Sequence, residues 1–541
     1  MKIARRRTGK LSAVSLSSRF AMRGAVLVWC LWFIASAPVE RRLWGDESRR
    51  SESRQPNILF ILMDDMGWRD VGFMGNQFVE TPNLDRLAKR GLVFSQAYAS
   101  APNCAPTRAC LMSGQYTPRH GIYTVVDPRH MPGSEGHKII AADSRSELAT
   151  EVVTIAESLR AGGYRTGFFG MWNLGRGRSG PMTPAGQGFE KVVFPENLGF
   201  ERNAYFDSKG NYLTDKLTDE VLKFIEQAGD KPFFAYLPDH AVHAPFEPKP
   251  ELLEKYQRKL KSEPGSREDP ALSASVEAVD QNVGRILDFL EERKLLESTL
   301  VIFTSDNGGN TRLTPPLKGG KGQLYEGGIR VPLLVAGAGI AKPGREIPTP
   351  VATIDWYPTL LELASLPPPA SQVLDGVSLG PLLRGEGELK RERMFWHFPC
   401  YVGRSTPSSA VREGDWKLIQ FFEDGGKFEL YNLKADPGEK RDLASSEPDR
   451  LKQLQGTLGD WQKETGAALP TKANPAYQPG AGQARGAEGS AGGEAGENAN
   501  RKRGGQMQGN RGRGGQRDNS QNGGSRNGGS GGGSRVFQPN G

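Results

Sequence analysis

Apolar residues along this chain fall into short runs separated by polar clusters, and the two commonest patterns have different periods. Pro56 to Met63 (PNILFILM) is a continuous apolar run of strand length, followed at once by Asp64 and Asp65; it predicts a buried parallel strand. Thr81-Pro82 then offers an N-cap and a proline at the first helical position, with Leu84, Leu87 and Ala88 on one face and Gly91 as the stop. The alternation continues. Thr154 to Glu157 reads as a capping box opening a helix that ends at Gly162, and Arg165 to Phe169 reads as a strand. Leu217 to Ile225 is helical in period, Phe233 to Leu237 is strand-like, and Val276 to Leu290 is an amphipathic helix leading into the strand Leu300 to Thr304. Repeated strand and helix predict an α/β fold, a large doubly wound mixed sheet flanked by helices.

After about residue 385 the texture changes. Short strand-like pieces at Ala410 to Arg412, Trp416 to Gln420 and Phe428 to Tyr431, separated by Gly-rich turns, predict a smaller C-terminal antiparallel-sheet subdomain over residues 386–473. The preceding domain then spans residues 55–385.

The ends have a different composition. Residues 1–24 carry seven basic side chains ahead of the apolar run Ala25 to Ile34 and the triplet Ala35-Ser36-Ala37. This predicts a signal peptide over 1–37, a linker over 38–54, and a secreted protein, periplasmic or extracellular. A stable membrane span is not expected, because Glu40, Arg41 and Arg42 end the run well short of about 20 apolar residues. From Asn474 to Gly541, Gly, Asn, Gln, Ser and Arg dominate, which predicts a disordered tail.

Charge follows the same division. The chain is +8 overall, but residues 1–54 carry +8 and residues 474–541 carry +5, leaving the body at −5. The basic pI therefore belongs to the ends, and nucleic acid is not expected as a partner of the body. Four cysteines in a chain of this length form no disulfide framework; with Cys30 in the signal, Cys104, Cys110 and Cys400 remain.

Candidate chemistry collects where the strands end: Asp64-Asp65 after the first, Asp239-His240 with His243 after the third, and Asp306-Asn307 after the fourth. Three carboxylates and an amide oxygen suit a hard divalent cation such as Ca2+. Either pair alone is equally well explained as a turn or helix cap; together they favour a metal. Cys104 stands at or just before the short helix Ala109 to Ser113, with Pro106 suited to its first position, and Arg108 lies one turn on. Helix N-termini favour anions, but a lone cysteine is as readily a small buried apolar residue.

The segment CAPTRACLMSG from Cys104 to Gly114 resembles the maturation signature of the sulfatase family, within the alkaline phosphatase superfamily. PNILFILMDDMGW, TPNLDRLAKRGLVF, YLPDHAVHAPFEP, FTSDNGG, KGQLYEGGIRVP, DWYPTLLELA and GDWKLI with ELYNLKADPGE match in order, covering about residues 55–450. The resemblance implies a calcium-dependent sulfatase in which Cys104 becomes formylglycine (3-oxoalanine), a residue whose hydrate carries two hydroxyls on one carbon. It implies Asp64, Asp65, Asp306 and Asn307 as calcium ligands with the modified Cys104, Arg108 orienting that residue, and Lys321 and His243 binding sulfate. His240, His120 and Glu326 lie within motifs and are expected in supporting roles. Expected partners are a sulfated carbohydrate or aryl sulfate and a formylglycine-generating or sulfatase-maturating enzyme. One segment departs: the family's G-K-W-H-L-G reads Gly170-Met171-Trp172-Asn173-Leu174-Gly175. Met171 supplies no charge and Asn173 no imidazolium, so a catalytically impaired binder of sulfated glycans is the alternative, unless Arg176 or Arg178 compensates.

Overall fold

The computed structural model describes residues 55–479, apart from 126–133, 176, 310–313 and 404. The expected signal peptide and linker, Arg176 and the tail beyond residue 479 lie outside the described residues.

Eight strands form the main sheet: β1 (Asn57–Met63), β2 (Gly91–Phe94), β4 (Arg165–Phe169), β5 (Lys191–Val193), β6 (Phe233–Pro238), β7 (Thr299–Ser305), β8 (Leu333–Gly337) and β9 (Arg345–Ile347). A small pair, β3 (Ala97–Tyr98) with β10 (Val351–Ala352), stands apart. The order in the main sheet is β5-β4-β6-β1-β7-β8-β2-β9, with only β8 running against its neighbours. The doubly wound mixed sheet expected from the alternation is present.

β1 is central, and its period of two explains why. Leu59, Ile61 and Met63 enter one core, with the helices Leu213–Ala228 and Pro270–Glu292. Ile58, Phe60 and Leu62 enter the other, with the helices Ile155–Ala161 and Trp356–Leu363. Both faces are covered, so β1 has no polar position between Asn57 and Asp64.

Two local expectations are corrected. Thr81 does not cap the helix Pro82–Lys89 through its side chain; its hydroxyl accepts from Gly72 N and donates to Asp85. The cap comes from Asp280, whose carboxylate accepts from the backbone of Asn83 and Leu84 at 3.2 and 2.7 Å. Gly91 is no helix stop but the first residue of β2, where a Cβ would lie 2.4 Å from the Val335 carbonyl oxygen.

The C-terminal sheet runs β11 (Arg393–Phe398), β12 (Ser408–Glu413), β13 (Trp416–Phe421), β14 (Phe428–Asn432), all antiparallel, under the helix Pro448–Thr465. A buried ionic network joins it to the short helix Glu326–Ile329 and to the small pair. Lys417 Nζ lies 2.9 Å from both Glu326 and Glu439, and all three side chains are fully buried. Glu326 also accepts from Tyr98 at 2.7 Å and pairs with Arg330 at 3.1 Å. Asn474 is tied to the body through the carbonyls of Ser134 and His137. No helix among the described residues is long and apolar enough to cross a membrane.

Candidate active site

The ends of three adjacent strands build the site. Beyond the paired residues Met63 and Ser305, Asp306 N donates to Met63 O, and Asp64 N donates to Ala241 O. The ladder thus continues one step into the loops and fixes the carboxylates. Asp65 adopts a left-handed φ of 65°, a reversal that lets two consecutive side chains serve one site.

One ligand atom each from Asp64, Asp65, Cys104 and Asp306 falls within 4.8 Å of the others. Asn307 joins them: its Oδ1 is 3.4 Å from Cys104 Sγ, while its Nδ2 donates to Asp65 at 2.7 Å. Cys104 Sγ is 3.1 Å from Asp64 Oδ1. It opens the helix Cys104–Ser113, which starts five residues earlier than expected and places Pro106 at its third position; Gly114 closes it, at φ 67°.

Arg108 is 1 % exposed and crosses the site floor. Its Nε and Nη2 donate to Asp306 at 3.0 and 2.8 Å, Nη2 also to Asp64 at 2.9 Å, and Nη1 to the Met171 carbonyl at 2.5 Å. Lys321 Nζ donates to Asp65 at 2.8 Å and lies 3.3 Å from His243 Nε2. His243 Nδ1 lies 2.6 Å from the Ala244 carbonyl, which can only accept, so Nδ1 carries the proton and Nε2 faces Lys321.

The electrostatics fit a cation. Three carboxylates face two basic side chains, a surplus of one negative charge in a buried space, before any thiolate is counted. Burial, and next the Asp64 charge, push Asp306 above the usual carboxylate range despite Arg108. Burial opposes ionisation of Asp64 too, but Arg108 foremost, with His243 and Lys321, holds it well below that range. Burial, then Asp306 and Asp64, drive the Cys104 thiol up. A divalent cation among these oxygens would reverse the surplus.

Of the supporting residues, Glu326 belongs to the ionic network, and His120 is structural: its Nδ1 accepts from Ile122 N, leaving Nε2 3.4 Å from Cys110 Sγ. The departing segment does border the site, since Met171 O holds Arg108. Arg178 does not fill the vacancy. It pairs with Glu196 and lies over the Phe194 ring at 4.1 Å. Sequence reading missed Tyr205, whose hydroxyl donates to the His243 carbonyl at 2.6 Å, with the His240 carbonyl at 3.1 Å, and so fixes that loop; an aromatic in a loop remote in sequence gives no periodic signal. A groove of about 1340 Å³ beside Phe395 and Trp461 contains none of these residues.

This fold and constellation define a sulfuric ester hydrolase. The Sulfatase description matches residues 56–366, and that of the N-sulphoglucosamine sulphohydrolase C-terminal region matches residues 320–464. The chain belongs to the sulfatase family. It is 34 % identical over 488 residues to a sulfatase of Formosa agariphila, covering 75 % of this chain and 88 % of that one. Human arylsulfatase A is 32 % identical over 479 residues, covering 74 % and 87 %. The crystal structure of Ps i-CgsB superposes with a TM-score of 0.65 at 28 % identity, covering 77 % of this chain and 95 % of that one; it has also been solved in complex with k-i-k-neocarrahexaose.

Proposed function

We propose that this chain is an exported, calcium-dependent sulfatase acting on sulfated carbohydrate through a formylglycine made from Cys104. The observation that carries the reading is the convergence of Asp64, Asp65, Cys104 and Asp306 within 4.8 Å, with Arg108 and Lys321 around them. The glycan class is supported by relatives named for sulfated sugars, such as the N-acetylgalactosamine-6-sulfatase of Canis lupus familiaris, 32 % identical, and by the k-i-k-neocarrahexaose in complex with Ps i-CgsB. Export, to the periplasm or the cell exterior, rests on the signal-like segment 1–37, and a formylglycine-generating enzyme is the partner it requires.

Asp64, Asp65, Asp306 and Asn307 would hold the calcium, which when bound supplies positive charge for an anionic ester and acidifies a coordinated hydroxyl. The formylglycine hydrate supplies a nucleophilic hydroxyl and a second one on the same carbon. The remaining work falls to side chains already in place. Arg108 ties Asp64 to Asp306 and keeps both carboxylates turned inward. Lys321 presents an ammonium to the sulfate oxygens. His243 presents Nε2, the nitrogen able to carry a proton to the leaving oxygen. Tyr205 holds the loop that carries it.

Met171 and Asn173 favour a second reading, a calcium-bearing binder of sulfated glycans with weakened turnover. One preparation separates the two: full-length protein with the Cys104 aldehyde verified by peptide mass and calcium content by elemental analysis, assayed on an aryl sulfate and on sulfated saccharides. Turnover supports the hydrolase. Saccharide binding without release of inorganic sulfate establishes the binder, and an unmodified Cys104 in protein from its native host overturns the formylglycine assignment.

A further inference from the structure

His240 follows β6 and is 3 % exposed, yet neither of its ring nitrogens has a hydrogen-bond partner among the described residues. Its ring packs against Tyr205 and His243 with centroids 5.1 Å from each. Stacking alone does not require nitrogen; a phenyl ring would pack there without leaving a buried donor and acceptor unpaired. Buried polar groups without protein partners mark places where a ligand or ordered water belongs. The charges acting on the ring are those of the site, Asp64 first, then His243, Arg108 and Asp65. Burial lowers its pKa to about 4, so at neutral pH it is an uncharged imidazole with one N–H to give.

The metal cluster does not use it, being built from Asp64, Asp65, Cys104 and Asp306. Lys321 and His243 are already engaged with Asp65 and with each other. The position where the family carries a further imidazole holds Asn173, and Arg178 is turned away to Glu196.

We propose that His240 is a substrate-contacting residue, its free ring N–H donating to an oxygen of the bound sulfate ester in place of the imidazole absent at Asn173. This rests on the reading that the pocket takes a sulfate ester. It adds a polar contact from the end of β6, the strand beside which the departing segment runs, where Met171 N donates to the Pro238 carbonyl.

The test uses calcium-loaded full-length protein and inorganic sulfate as the probe, with affinity measured by calorimetry and fold by thermal melting. His240→Phe keeps the stack and removes both nitrogens; it is expected to melt at the same or a higher temperature and to bind sulfate about tenfold more weakly or worse. In an Asn173→His background the same change is expected to cost less than about threefold, because the two imidazoles then share the task. A second measurement needs no substitution in the protein examined: in protein labelled with 15N-histidine, the His240 ring resonance, assigned by its loss in His240→Phe, moves on sulfate addition. Unchanged affinity in the folded phenylalanine variant, equal losses in both backgrounds, an unmoved ring resonance, or no sulfate binding by the natural protein each overturns the proposal. Sulfate binding through His240 without ester turnover would sink the hydrolase reading alone; turnover indifferent to His240 would sink this proposal alone.

Discussion

Replacing Lys417 with methionine leaves a chain of similar volume but strands two buried carboxylates. Glu326 would keep Arg330 at 3.1 Å and the Tyr98 hydroxyl at 2.7 Å. Among the described residues Glu439 would keep only the backbone N–H of Glu326 at 2.7 Å. It is already the weaker partner: burial foremost pushes its pKa up even with Lys417 beside it, and its Oε1 meets Nζ as an ion pair at 2.9 Å without hydrogen-bond alignment. Removing one member of a buried ion pair costs about 3–5 kcal/mol. Spread over roughly 420 ordered residues at about 2.1 cal/mol/K each, that is a fall of about 3–6 °C in melting temperature. The sign of the pH dependence follows from the raised carboxyl. A group whose folded pKa is raised favours folding below its unfolded value, here 4.5, and loses that contribution as pH rises through the folded value. The deficit of Lys417→Met is therefore expected in full at pH 8 and at roughly half at pH 5, where Glu439 takes a proton instead of standing charged. Denaturant unfolding followed by tryptophan fluorescence at both pH values checks this. A deficit under about 1 kcal/mol at pH 8, or one that is larger at pH 5, refutes the reasoning.

Four further outcomes are expected. Asp306→Ala and Asp65→Ala each lose stoichiometric calcium by elemental analysis, since each removes an oxygen from the four-atom cluster. Met171→Lys with Asn173→His raises aryl-sulfate turnover of aldehyde-bearing protein by about 10²-fold or more, the scale of one restored charge-stabilising donor. Asp280→Ala removes the cap of the helix Pro82–Lys89 and costs about 1.5–3 kcal/mol in a denaturant titration. His120 and His397 are buried with pKa values lowered by desolvation to about 3 and about 4, so the stability they contribute above their unfolded value of 6.5 drains away as pH falls towards those values; His397→Gln is expected to flatten the acid limb of a stability profile.

Half of the main sheet was legible, β1, β4, β6 and β7 of its eight strands, because these carry apolar runs of strand length that are buried almost throughout. The carboxylates that follow them were legible for the same reason, Asp64 and Asp239 directly after such runs and Asp306 after Thr304 and Ser305. What escaped were elements whose signal is not local. β8 and β11 carry apolar residues in short segments that read equally as loop, and the helix Pro448–Thr465 is polar over most of its surface and held by Leu454, Leu458 and Trp461. The cap on Pro82–Lys89 was assigned to Thr81 because Asp280 lies two hundred residues away in sequence. Cys104 was placed at or just before its helix because Pro106 suits a first position, and it opens the helix; the chain tolerates Pro106 two residues further in, since the first-turn amides lack internal partners in any helix. Fold and carboxylate cluster were thus written in local patterns, whereas Tyr205, the ionic network and the unpaired ring of His240 exist only after the chain has closed on itself.

The register of β1 against β6 and β7 also limits which lengths of chain this protein can adopt. Met63 stands opposite Ser305 and Leu62 opposite Pro238, so Asp64, Asp239 and Asp306 each emerge one or two residues past a paired position. Deleting a single residue within Ile58–Met63 would put the residues on one side of the gap on the wrong core face, and where the C-terminal side shifts it would withdraw Asp64 from the site in the same stroke. Insertions and deletions among relatives are therefore expected to gather in the connections and to spare these three strands, and a library of single-residue deletions should show its deepest losses there.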